Sequence, residues 1–120
     1  MTTLTIGSIL TAVFLLLGLL FFTGGTVGLL RLPDFFCRMH ATGKGDTLAV
    51  LLSLIGLAIY TAFSGGFSTA SILVSIKIIF IAIFWFLAGP VSTHAITRAA
   101  FRCGVKPWTL EHQFKEVEKE

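Results

Sequence analysis

The sequence predicts an all-α integral membrane protein with three transmembrane helices. Three observations carry that prediction. Hydrophobic residues make up 55% of the 120-residue chain and charged residues only 12%, whereas a soluble domain carries about 25% charge. Mean hydropathy is +0.92. Charge is also confined: in the first 76 residues it occurs only between Arg31 and Asp46. The length gives room for one domain, a three-helix membrane unit at 1–103 followed by a polar tail at 104–120.

The first span is Leu4 to Leu30, about 27 residues without a charge, enough to cross ~30 Å of hydrocarbon with tilt to spare. No basic n-region or small-residue cleavage motif precedes it, so a retained span is expected rather than a cleaved signal peptide. Thr11, Gly18 and Gly25 recur at heptad spacing and make a small-residue stripe. Gly24 and Gly28 add a small-xxx-small pair. Such stripes let helix backbones approach closely in lipid.

A polar hinge follows. Pro33 has no N–H and suits a first helical turn. Phe35, Phe36 and Met39 share a helical face, with Arg31 and Arg38 available to lipid headgroups or a partner. The pattern predicts a short interfacial helix from about Pro33 to Ala41, ended by Gly43 and Gly45. Asp34 falls in its first turn.

The second span runs from Asp46 to about Phe63. Ala49, Ser53 and Gly56 form its small stripe, and Tyr60 suits an interface anchor. The uncharged turn 64–69 makes the second and third spans antiparallel neighbours. The third span covers Thr69 to Ala88, with Ser75, Ala82 and Gly89 as its small stripe. Gly89-Pro90 should kink or end it. A juxtamembrane helix is expected from Val91 to Arg102. In the tail, Trp108 can dip into the interface, and the last residues are expected to be mobile.

Charge sets the topology. The N-terminus and the 64–69 turn have no Lys or Arg. The hinge has Arg31, Arg38 and Lys44, and the C-terminal part has Arg98, Arg102, Lys106, Lys115 and Lys119. Hinge and tail are therefore expected in the cytoplasm, with the N-terminus outside. Cys37 and Cys103 then face the reducing side as free thiols.

Lys77 is the ionisable residue well inside a predicted span, ~12 Å from its start at 1.5 Å per residue. Such residues line polar paths or pair with a partner. Lys77 either snorkels to the outer headgroups or meets a carboxylate from another chain, since this chain has none at that depth. Its face carries Val74, Phe80, Ile81 and Phe84, away from the Ser75 stripe, so the helix is expected to have two different neighbours.

Asp34 and Asp46 each suit a helix start, where a carboxylate favours the positive end of the dipole. Asp46 is alternatively a cation-attracting group at a cytoplasmic mouth, and Asp34 is likewise a candidate for the ion path or for pairing with another subunit. His40 and His94, at the same boundary, are candidates for proton relay or for ordinary polar contacts. No zinc-ligand spacing, nucleophile elbow or phosphate loop is present. The sequence thus points away from an enzyme, and no cofactor or metal is expected. Nor does it carry a nucleic-acid motif.

Gly28-Leu29-Leu30-Arg31-Leu32-Pro33-Asp34, with Arg38-Met39-His40-Ala41 and Lys44, resembles the signature of the G subunit of Mrp-type multisubunit cation/proton antiporters. Pro90, His94-Ala95 and Arg98-Ala99-Ala100 resemble that family's second block. The resemblance covers roughly residues 6–102. It implies a small accessory subunit of a hetero-oligomeric complex in the bacterial plasma membrane, exchanging Na+ for H+. In such complexes the large subunits resemble those of respiratory complex I and carry the proton-pumping machinery. The small subunits pack beside them and help to form the cation path. The partners implied are other antiporter subunits, membrane lipid, Na+ and H+. The competing readings are a small subunit of an antiporter-derived module in a redox-driven complex, such as a membrane-bound hydrogenase, a self-assembled ion channel and, more remotely, a membrane enzyme.

Overall fold

The computed structural model describes residues 2–107, all within or next to three helices: α1 (Thr2–Arg31), α2 (Phe35–Ser64) and α3 (Thr69–Arg102). All three are long and apolar enough to cross a membrane. At 1.5 Å per residue they measure about 45–51 Å, so each outruns the ~30 Å hydrocarbon core. The expectations for Trp108, Lys115, Lys119 and the end of the tail lie outside the described residues.

Helix α2 is the middle of a row. It packs on α1 along one side and α3 along the other, and α1 and α3 do not meet among the described residues. The Cα extents are 69 × 27 × 14 Å, which is a layer one helix thick.

The small-residue stripes build both seams. On α1, Thr11 is buried and its Oγ1 donates to Gly56 O on α2 at 3.1 Å. A Cβ placed on Gly18 would lie 3.0 Å from Ala49 O. Of the second glycine pair, Gly28 meets the Ala41 side chain, while Gly24 faces open space. On α3, the Ser75 hydroxyl donates to Ala58 O at 2.9 Å and lies 2.7 Å from Thr61 Oγ1. One turn or more along, Ala82 is 2% exposed. The most buried side chains are therefore alanines, and the large ones point outward: Leu30, Phe80 and Phe84 are all highly exposed. Lipid is as apolar as leucine, so burying leucine gives no drive to association. Close packing of small residues and interhelical hydrogen bonds give it instead.

Two predicted elements do not exist separately. The interfacial helix is not set off by Gly43 and Gly45: α2 is continuous from Phe35 through both. Pro90 does not end the third span either; α3 runs through it to Arg102, absorbing the juxtamembrane helix. A glycine in a helix interior costs only about 1 kcal/mol relative to alanine, and Gly43 and Gly45 let Thr93 and Gly25 approach closely. At Pro90, deeper along α3, a backbone in hydrocarbon must be satisfied internally, so the helix persists past the proline.

The connections are short. Leu32, Pro33 and Asp34 link α1 to α2, placing Pro33 ahead of the helix rather than in its first turn. Between α2 and α3, Gly66 (φ 59) and Phe67 (φ 57) both take left-handed backbone. At the other end of α3, Phe36 and Phe101 stack with ring centroids 4.5 Å apart, clamping the start of α2 to the end of α3.

Candidate functional site

The α2–α3 seam is closely packed where Gly43 and Thr47 face Gly89 and Thr93. A Cβ on Gly43 would stand 3.3 Å from Thr93 Oγ1, and one on Gly89 would stand 3.4 Å from Thr47 Cγ2. Both threonine hydroxyls turn back on their own helices. Thr47 Oγ1 donates to Gly43 O, and Thr93 Oγ1 donates to Gly89 O at 3.1 Å. Each threonine thus presents both its hydroxyl oxygen and its methyl group to the glycine across the seam.

A cavity opens on each side of this contact. One, about 470 Å³, is lined by His40 and Lys44 from α2 and by His94 from α3, above an apolar wall that includes Leu48, Phe86 and Pro90. The other, about 330 Å³, is lined by Asp46, Trp85 and Ser92. Asp46 also borders a third cavity, about 160 Å³, between α1 and α2, beside Thr26 and Thr42. Successive helical residues turn by 100°, so Lys44 and Asp46 are about 200° apart around α2. The seam therefore separates a basic groove from an acidic one at a single level.

Helical periodicity explains the sorting. His40, Lys44 and Leu48 are spaced by four residues and share one stripe of α2. Thr42 and Asp46 share another. Pro90 and His94 repeat that spacing on α3. Because proline has no N–H, the Phe86 carbonyl receives no helical hydrogen bond from residue 90, and both residues lie on the wall of the basic groove.

Of the residues singled out in the sequence, His40 and His94 come together across the seam, and Asp46 lies on its other side. Asp46 is the twelfth residue of α2, no longer at a helix start. Asp34 holds that position: it is the N-cap of α2, is buried, and makes no side-chain cap hydrogen bond. Arg31 is the last residue of α1. Arg38 reaches back over the hinge and donates from Nε to Leu32 O at 2.7 Å. Arg98 is exposed one turn beyond His94. Lys77 is remote from all of these. It is exposed on α3, and the twelve residues from it to Gly89 correspond to ~18 Å along the axis.

Sequence reasoning overlooked Lys44 as a groove residue, and Thr47 and Thr93 as the seam. The spacing of His40, Lys44 and Leu48 was the available signal. It was hidden because Gly43 and Gly45 read as a break. Among the described residues, no group of three or more His, Cys, Asp or Glu side chains could hold a metal ion.

Comparison with known proteins agrees with this architecture. Residues 14–101 match the family described as Na+/H+ antiporter subunit. The antiporter subunit mnhG2 of Staphylococcus aureus (strain JH9) is 39% identical over 97 residues, covering 81% of this chain and 63% of the relative. The chain thus spans just under two thirds of that relative's length. Among solved structures, a chain in the Mrp complex from Dietzia sp. DQ12-45-1b superposes with a TM-score of 0.75 at 27% identity, covering 88% of each chain. A chain in the membrane-bound sulfane sulfur reductase, an archaeal respiratory membrane complex, superposes with a TM-score of 0.70 at 35% identity, covering 97% of this chain and 99% of the other.

Proposed function

This chain belongs to the Na+/H+ antiporter subunit family, and from that membership we propose that it is a small G-type subunit of a multisubunit Na+/H+ antiporter. Its likeness to a chain of the Mrp complex carries the reading. The open form of the layer supports it. Three helices in a row leave both broad faces and the outer sides of α1 and α3 uncovered by the other described residues, as suits a part that packs between larger ones. The chain serves assembly, and it contributes Asp46 to the cation path. A carboxylate bordering two cavities among threonine and serine hydroxyls attracts a cation, and oxygen donors suit a hard one. Transport needs no covalent step, so the chain acts as a transporter subunit and not as an enzyme.

The complex lies in the bacterial plasma membrane. The N-terminus is outside, and the hinge and the 104–120 tail are cytoplasmic, as the clustered Lys and Arg residues favour. The test is to purify the complex through this chain, identify its partners by mass spectrometry, and measure sodium-dependent proton exchange in vesicles. Antiporter subunits and exchange are expected. Recovery with redox-enzyme subunits instead would favour the second reading, a place in a respiratory complex, which the likeness to a sulfane sulfur reductase chain keeps in view.

A further inference from the structure

The geometry points to a binding site for one anionic phospholipid in the basic groove between α2 and α3. Three features meet there. The polar part of the wall carries His40 and Lys44 on one helix and His94 on the other. All three are exposed, so their donors are free to turn toward a phosphate. Lys44 brings an ammonium with three donors, and each imidazole brings an N–H in either of its protonation states. The remainder of the wall is apolar, with Leu48, Phe86 and Pro90 leading toward the middle of the helices. A headgroup phosphate at the first part and an acyl chain along the second match this division.

The position along the helices also fits. Lys44 is the tenth residue of α2, and His94 lies eight residues before the end of α3. Arg31, Arg38, Arg98 and Arg102 ring the same end of the layer, as residues at the headgroup level do. Basic pockets between membrane helices near an interface take lipid headgroups of this kind. A cation is disfavoured by Lys44, and a soluble anion would leave the apolar wall wet. The acidic groove across the seam has the opposite character, so the same lipid would be repelled there by Asp46. The inference requires the helices to lie in a bilayer. It does not depend on which ion is transported or on which side the tail lies.

Native mass spectrometry can test it, on the full chain in the assembly with which it purifies, after delipidation. Phosphatidylglycerol should bind at least about tenfold more tightly than phosphatidylcholine, equivalent to about 1.4 kcal/mol. Lys44→Ala combined with His40→Gln and His94→Gln should abolish that preference, and Lys44→Arg alone should retain it. These side chains are exposed, so the substitutions leave the seam intact. Lys106→Ala, a charge loss outside the groove, should change little. An equal loss in Lys106→Ala would show diffuse attraction and overturn the site. Inorganic phosphate that displaces the lipid at comparable concentration would show that the groove holds a free anion, and would overturn it too. Equal binding of both lipids would do the same. Loss of sodium-dependent exchange with lipid preference unchanged would count against the antiporter reading and not against the site.

Discussion

Gly25 of α1 and Gly45 of α2 meet backbone against backbone. A Cβ on Gly25 would lie 3.0 Å from Gly45 Cα, and one on Gly45 would lie 2.8 Å from Gly25 Cα. No flexible side chain stands between them to give way. Gly45→Leu should therefore force the helices apart. Overpacking costs typically about 1–3 kcal/mol, and here it acts on backbone. Thermal unfolding of the purified assembly should begin at lower temperature, with less of this chain incorporated. Gly24→Leu, where an added Cβ meets no other atom of the described residues, is the control and should leave the α1–α2 seam as in wild type.

Thr11 and Gly56 make a different kind of link across the same seam. The Thr11 hydroxyl is shared between Gly7 O at 2.8 Å and Gly56 O at 3.1 Å. Interhelical side-chain hydrogen bonds in membranes average only about 0.6 kcal/mol. Thr11→Val keeps the shape and should cost no more than that. A loss as large as that of Gly45→Leu would show that hydrogen bonding, not close approach, holds α1 to α2.

Lys77 is on a part of α3 turned from α2, among exposed Phe80, Ile81 and Phe84. We expect a partner subunit to supply a carboxylate there. Lys77→Met would strand that carboxylate, at about 3–5 kcal/mol when buried. Assembly or sodium-dependent exchange should fall, and Lys77→Arg should be milder. Wild-type exchange at wild-type assembly in Lys77→Met would leave only an ammonium that snorkels to the headgroups.

Cys37 and Cys103 are free and exposed, so they report on sidedness. Neither should react with an impermeant maleimide in intact cells, and both should react once the membrane is opened. Labelling of either from outside would reverse the proposed orientation.

Asp46→Asn removes the charge between the two cavities it borders without changing size. Exchange in vesicles should drop by at least about tenfold, or 1.4 kcal/mol in the barrier, with assembly intact. Asp46→Glu should recover part of it. Unchanged exchange in Asp46→Asn would remove this residue from the cation path.

Pro90→Ala supplies the N–H that α3 lacks at this position and removes a ring from the basic groove. The helix should become no less stable, since proline costs about 3 kcal/mol in a helix interior relative to alanine. Exchange is expected to fall while assembly is retained. Normal exchange would show that the ring is dispensable.

The sequence by itself determined the number of spans, their antiparallel order and the faces on which they pack. Thr11-Gly18-Gly25, Ala49-Gly56 and Ser75-Ala82-Gly89 all lie on the seams they predict, because a small-residue stripe on a membrane helix has one evident use. Charge and length were enough to count the spans, though not to bound their helices: α2 begins at Phe35 rather than Asp46, and α3 runs past Ala88 to Arg102. What tertiary structure decided was continuity and pairing. Gly43, Gly45 and Pro90 read as breaks by rules learned in water, where a broken helix can bond to solvent. Tertiary packing overrides them where Gly43 and Gly45 sit against Thr93 and Gly25, and hydrocarbon overrides them at Pro90, so α2 and α3 run on. That continuity puts Lys44 in register with His40, brings His94 opposite, and moves Asp46 from a helix start to the far side of the seam. Such neighbours across two helices depend on which residues of α2 face which of α3, and packing fixes that register: Gly43 and Thr47 on Gly89 and Thr93, Ser75 on Ala58 and Thr61, and Phe36 on Phe101.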